Sequence, residues 1–262
     1  MEQEKYDSQS SVLEAEFPCG YIDDNGDLHK SFIVRELSGD EEDILASKGD
    51  PLKRLNRVIA NCLRSIGTIT EPNIIQRAVW YLSASDRMTA LVAIRRVSIG
   101  NKYRFSIQCD NDQCGKQFNQ VINLDQLEII DMEEPSIRNF NDKTSTNVSV
   151  KWHLMNATDE AWLIARKKKL SGEADVTLSM LARIDEVDGI TFDRDASNIK
   201  PMIRNLKSLS SKTRREIRDF FKKREGRIDT EIEVSCPECD NEMKVEMEIS
   251  ADFFFPTGES IS

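Results

Sequence analysis

No stretch of this chain approaches the roughly 20 consecutive apolar residues a membrane-spanning helix requires. The start, Met1-Glu-Gln-Glu-Lys5, has neither the basic opening nor the apolar core of a signal peptide. Together these place the expected protein in a reducing cytoplasm, where unligated thiols stay reduced. Motifs of catalysis are also missing. There is no Gly-rich phosphate loop, no Gly-x-Ser-x-Gly and no His-Glu-x-x-His. No general acid or base stands out, so the chain reads as a non-enzyme. Histidine is scarce, with only His29 and His153 in 262 residues, and each reads as an ordinary surface or satisfied side chain. Net positive charge is lacking too. At −10, the chain is poorly suited to non-specific nucleic-acid binding, which needs a basic footprint. A composition of 39 % hydrophobic and 31 % charged residues describes an ordinary globular protein of one large or two small domains.

What the chain does have is two close cysteine pairs. One lies in Ile107-Gln-Cys109-Asp-Asn-Asp-Gln-Cys114-Gly115-Lys-Gln-Phe118 and the other in Val234-Ser-Cys236-Pro237-Glu-Cys239-Asp240-Asn-Glu-Met243. Each sits between short runs that alternate apolar and polar side chains, the pattern of a half-buried strand. Each pair therefore belongs at the tip of a strand–turn–strand. The spacings, four residues and then two, suit a zinc site with four cysteine ligands. The spacing favours zinc over two alternatives, disulfides and free thiols. A redox Cys-x-x-Cys would need a following helix, and none follows Cys239. Four cysteine ligands leave no open position, so Cys109, Cys114, Cys236 and Cys239 are expected to hold a structural Zn(2+) rather than a catalytic one.

In chain order, residues 1–12 read as a disordered start. A hairpin follows, with Tyr21-Ile22 and Ser31 to Arg35 joined by a turn at Asp23-Asp-Asn-Gly26. Ser38 opens a helix whose acidic first turn, Asp40 to Asp43, reads as solvated. A second helix is expected from about Leu52 to Ser65, with Cys62 on its buried face. Ile74 to Leu82 is helical or extended. Ser83-Ala-Ser-Asp86 reads as a capping box starting a helix through Val97. Tyr103 to Ile107 leads into the first cysteine tip and Gln120 to Ile129 leads out. Between the tips, residues 130–228 read as an insertion. It contains a strand at Val148–Leu154 and helices at 156–170, Val176–Ile184, Met202–Leu209 and Lys212–Arg224. Arg227 to Val234 and Lys244 to Ile249 flank the second tip as strands. The expected fold class is α+β: an N-terminal hairpin and helices joined to a four-cysteine zinc ribbon, with a mixed α/β insertion between the knuckles. The expected domains are 13–129 with 229–262, and the mostly helical 130–228.

Two features are candidate contact surfaces. The last long helix carries Arg214, Arg215, Arg218 and Lys222, and such a basic run is either a solvated face or a contact with an acidic partner. Phe253, Phe254 and Phe255 form a consecutive apolar row, either core closure or an exposed anchor.

Several of these elements together resemble the baseplate hub-assembly proteins of T-even-type contractile-tailed phages. The resemblance rests on Leu37-Ser-Gly-Asp-Glu-Glu-Asp-Ile-Leu45. It rests also on Ser85-Asp-Arg87 opening the helix that ends in Ala93-Ile-Arg95 before Gly100. Its strongest part runs from Ile228-Asp229 through Cys236-Pro-Glu-Cys239 to Asp252-Phe-Phe-Phe-Pro256. The resemblance implies a non-enzymatic hub protein or assembly chaperone. Its partners would be other hub, wedge or tail-tube proteins, with no nucleic acid and no membrane. It would act in the host cytoplasm during assembly or reside in the virion tail baseplate. The competing reading is a zinc-ribbon nucleic-acid-binding or transcription-associated module. Asp110, Asp112, Glu238, Asp240 and Glu242 at the tips count against it, because they repel phosphate.

Overall fold

A computed structural model describes residues 11–169, 175–196, 198–247 and 253–254. Two larger hydrophobic cores and one small one organise these residues.

The first core is built on a three-stranded antiparallel sheet. Strand β1 (Val12–Ile22) pairs with β2 (Leu28–Arg35) across the turn at Asp23–Gly26. There the Asp23 carboxylate accepts N–H bonds from Asn25 and Asp27, and Gly26 takes φ +88°. The strand begins at Val12, inside the stretch expected to be disordered; residues 1–10 lie outside the described residues. Helix α1 (Gly39–Ala46) follows Ser38. Its acidic first turn is only partly solvated. Glu41 is buried, and the Arg35 guanidinium forks onto its two oxygens at 2.9 and 3.0 Å. Burial pushes the Glu41 carboxyl up, but Arg35 and Ser38 outweigh it and hold the pKa at about 2.

Helix α2 (Pro51–Cys62) starts where Asp50 accepts the Leu52 N–H and Pro51 presets the first turn. It stops at Cys62, short of the expected Ser65. Leu63–Ile66 form β3 on the free edge of β2, with Phe32 opposite Ile66. The edge offered Leu63, Ser65 and Ile66 buried places that a continued helix could not supply. Helix α3 (Pro72–Ala78) settles the ambiguous apolar stretch as helical. Helix α4 (Ala84–Ser98) has the expected capping box. The Ser83 hydroxyl accepts the Asp86 N–H at 3.0 Å, and the Asp86 carboxylate accepts the Ser83 N–H at 3.3 Å. Residues Thr89 to Arg95 of α4 are all buried, so this helix runs through the core.

The chain then rises through β4 (Lys102–Gln108) and returns through β5 (Gln117–Asn123). The return is shorter than expected, because a 3-10 turn at Leu124–Gln126 separates it from β6 (Ile129–Ile130).

The second core lies within residues 132–221, with Cys19 reaching in from β1. Its sheet contains β7 (Asn139–Lys143) and β8 (Ser149–His153). Helices α5 (Ala157–Lys169) and α6 (Asp175–Leu181) follow. Asn156 caps α5 by accepting the Thr158 N–H; Leu170 lies outside the described residues. Helix α6 ends before the expected Ile184, which instead opens β9 (Ile184–Val187) opposite Trp152. Asp188 and Gly189, at φ +47° and +79°, turn β9 into β10 (Ile190–Thr191). A two-residue turn with both central residues at positive φ fits the twist of a hairpin. Helices α7 (Lys200–Ser208) and α8 (Ser211–Arg224) complete this part, with Leu206, Ile217 and Phe221 buried against Trp152 and its neighbours.

Strand β11 (Arg227–Ile228) then pairs with β6, so the chain leaves and returns for residues 131–226 through one two-stranded neck. The expected single strand from Arg227 to Val234 is two strands, because β12 (Glu231–Ser235) belongs to a different sheet. β12 pairs with β13 (Glu242–Glu246) to form the second cysteine hairpin; residues 248–249 lie outside the described residues.

Candidate metal centre

The two hairpins β4–β5 and β12–β13 share no backbone ladder among the described residues. They meet through a small cluster of Ile107, Cys109, Val234, Cys236 and Met243. This contact brings the four sequence-identified thiols together. Cys109 Sγ lies 3.7 Å from Cys239 Sγ, and Cys114 Sγ lies 3.8 Å from Cys236 Sγ. All four sulfurs lie within 4.8 Å of one another. Both close pairs cross between hairpins. A disulfide needs about 2.05 Å between sulfurs, and all six cysteines are free thiols. A tetrahedral site with metal–sulfur bonds of about 2.3 Å has sulfur–sulfur edges of about 3.8 Å. The arrangement therefore matches the donor set of one metal ion.

The tips are built alike. In the first, the Cys109 N–H donates to Lys116 O, and the N–H groups of Cys114 and Gly115 both donate to Asn111 O. In the second, the Cys236 N–H donates to Asn241 O and the Asp240 N–H donates to Cys236 O. The residue after the second cysteine is left-handed in both, Gly115 at φ +55° and Asp240 at +54°. That conformation turns the chain back so both thiols of a pair face inward.

Electrostatics shows why a cation suits this pocket. Burial pushes the Cys236 thiol up, but N–H donors from Glu238 and Cys239 overrule it and bring the pKa down to about 7. The Asn241 N–H favours the Cys239 thiolate, yet burial and the crowded sulfurs of Cys114 and Cys109 drive its pKa up to about 12. Four thiolates this close cannot all ionise alone, and a divalent cation removes that conflict.

Sequence reasoning missed two supporting residues. The Asn111 side-chain amide donates to Cys239 Sγ, and the Asn241 amide donates to Cys109 Sγ, each at 3.9 Å. Each asparagine thus reaches the sulfur of the opposite tip. Asn241 also donates to the Asp110 carboxylate at 2.6 Å. The signal was present as a repeated triplet, Cys109-Asp-Asn111 and Cys239-Asp-Asn241.

The other candidate residues separate. Phe253 and Phe254 are buried in the first core, the core-closure alternative of the sequence reading rather than the exposed anchor; Phe255 lies outside the described residues. The Phe253 ring packs edge-on against Tyr103 at 4.9 Å, and Arg95 stacks on both rings. Arg214 is half-buried and donates to Thr177 Oγ1 on α6 at 2.7 Å, whereas Arg215, Arg218 and Lys222 are exposed. Both histidines are satisfied. His29 meets Asp23 at 3.3 Å, and His153 lies between Asp185 at 2.9 Å and Asp159 at 3.3 Å. No helix among the described residues is long and apolar enough to cross a membrane.

No curated protein and no solved structure matches the chain. A family model described as T4 bacteriophage base plate protein matches residues 29–255, which takes in both hairpins, all four clustered cysteines and the residues between them. The chain belongs to that family of phage baseplate proteins.

Proposed function

We propose that this chain is a non-enzymatic structural or assembly protein of the baseplate hub, with its two cysteine hairpins closed into a ribbon by a structural zinc. The family match across residues 29–255 carries the baseplate part of this reading. The cross-paired sulfurs at 3.7 and 3.8 Å support the metal. Cys109, Cys114, Cys236 and Cys239 would hold the ion, leaving no position for substrate, and the ion would contribute folding energy. Asn111 and Asn241 orient and stabilise the opposite sulfurs. Residues 130–228 form an inserted, mostly helical subdomain between the two cysteine hairpins. Partners are other hub, wedge or tail-tube proteins, met in the host cytoplasm during assembly or in the tail itself.

The test is a native purification of the tagged chain from cells producing whole particles, with nuclease treatment and mass spectrometry. Recovery of hub or tail-tube proteins, unchanged by nuclease, is the expected result. Recovery of nucleic acid or polymerase subunits, lost on nuclease treatment, would overturn it in favour of a nucleic-acid-binding ribbon.

A further inference from the structure

The charge of this protein is divided unevenly along the chain. Residues 200–227 hold eleven Lys and Arg against three Asp and Glu, in a chain whose net charge is −10. Much of this basic segment is α8. Arg215, Arg218 and Lys222 stand at positions i, i+3 and i+7, so they share one face over about 10 Å of helix. Their neighbours are engaged: Arg183 pairs with Glu225, and Arg224 pairs with Glu134 and Asp142. Arg215, Arg218 and Lys222 form no ion pair among the described residues and are exposed.

That face borders a groove of about 570 Å³ between α6 and α8. Val176 stands in it 50 % exposed, an apolar side chain half uncovered among the described residues, and Met180 and Phe221 form the wall behind. Three unpaired cations beside an uncovered apolar seat call for an occupant that brings discrete carboxylates and one apolar side chain. A nucleic-acid backbone fits poorly. It carries a charge at every step and offers nothing to Val176, and Asp175 and Asp219 on the rim would repel it. A polypeptide can place its carboxylates at the cations and keep neutral residues beside the two aspartates.

We propose that the α6–α8 groove docks an acidic segment of a partner baseplate protein, with one apolar side chain over Val176 and carboxylates meeting Arg215, Arg218 and Lys222. The choice of partner rests on the baseplate reading above; the chemistry of the segment rests on the groove.

The test places a photo-cross-linking benzophenone amino acid at Ser179, which lines the groove, in the full chain within particle-producing cells. Cross-linked peptides are then sequenced. The expected product is a non-self baseplate protein joined at a segment with at least two Asp or Glu within four residues of an apolar side chain. Arg215→Glu with Arg218→Glu should cut the yield about tenfold or more, as should Val176→Asp. These exposed positions leave the circular dichroism unchanged. A cross-link to nucleic acid, to a second copy of this chain, or to a segment without carboxylates overturns the proposal. So does the absence of any cross-link from a chain that still co-purifies with baseplate proteins; that outcome leaves the baseplate reading standing. A chain that co-purifies with no baseplate protein removes both.

Discussion

Replacing Cys236 and Cys239 together by serine would strip one hairpin of the ligands of the proposed metal site, and the structure sets what should follow. Apart from the thiols, the contact between the hairpins fully buries Ile107, Val234 and Met243 among the described residues, with Phe105, Phe118, Ile232 and Val245 partly buried around them. At about 2 kcal/mol for each buried side chain, this gives about 6 kcal/mol. The five paired positions of β12–β13 add about 5 kcal/mol at about 1 kcal/mol per hydrogen bond. Ordering the backbone of the ten residues in these two strands costs about 10 kcal/mol at the low end. Without metal the hairpin is thus balanced near zero, as expected for an isolated two-stranded ribbon. Free zinc held a thousandfold above its dissociation constant adds about 4 kcal/mol, because it binds only the folded ribbon. The measurement is hydrogen exchange in a zinc buffer, with bound metal counted by mass spectrometry. In the double-serine variant, amides of Glu231–Ser235 and Glu242–Glu246 should exchange about a thousandfold faster, while those of α4 stay protected. The parent chain should hold one zinc and the variant none. Asn241→Ala is an informative control. It keeps all four thiols and removes one sulfur donor, so zinc affinity should fall about tenfold while the ribbon stays assembled. A double-serine variant with parental protection would falsify the structural-metal argument.

Two further outcomes follow from the buried side chains. Phe253→Ala removes a fully buried ring and leaves Arg95 with one aromatic face fewer, so the denaturant midpoint should report a loss of about 3–5 kcal/mol; a loss under about 1 kcal/mol would show that the ring is not core. For His153, burial lowers the imidazole pKa, but bonds to Asp159 and Asp185 outweigh it and raise the value from 6.5 to about 9. Its stabilisation is therefore complete below pH 6.5, where both states are protonated, and is lost as pH rises through about 9, on the order of 3 kcal/mol in all. Urea midpoints measured from pH 6 to 9.5 should fall in the parent and stay flatter in His153→Gln; parallel curves would refute this account.

The readable parts of this chain were those whose chemistry is local. Ser83 with Asp86 and Asp23 through Gly26 each satisfy their own backbone within a few residues, so their patterns survive folding. The cysteine spacing was legible for a similar reason, since each tip is a closed local turn and only the meeting of the two is long-range. The misread boundaries share a different cause. Leu63 and Ile184 both continue a helical apolar pattern, and both were taken by a strand edge distant in sequence, β2 in one case and β8 in the other. Glu41 looked like one carboxylate among several until Arg35 folded over it. The row Phe253–Phe254 gave no sign of its direction, because its seat against Tyr103 and Arg95 is assembled from β4 and α4. The face of α8 was half legible: the basic run was plain, but only the structure separates Arg214, bound to Thr177, from the exposed Arg215 and Arg218.

The placement of the ligands raises a question about closure that the neck answers. Cys114 and Cys236 are 122 residues apart in the chain, a long loop to close with one ion. The pairing of Ile129–Ile130 with Arg227–Ile228 shortens it. Once those strands are joined, the path from Cys114 to the neck and on to Cys236 is about two dozen residues. A loop about fivefold shorter costs about 1.5 kcal/mol less to close. The neck is itself pinned to the first core. The Met132 N–H donates to Pro18 O at 2.9 Å, and Gly226 sits so close that a Cβ there would lie 2.7 Å from the same oxygen. Arg138 extends the attachment by donating to the carbonyls of Cys19 and Gly20, whose N–H groups in turn donate to the buried Asp86 carboxylate at the start of α4. The neck and Arg138 thus join β1 and α4 by polar bonds that need no metal, and the chain returns to β12 through the same neck. A metal held by the four thiols would lock two hairpins that the neck has already brought close. Loss of such an ion would leave both larger cores folded, so the decisive observable for the proposed site is local exchange at the ribbon rather than the melting of the whole chain.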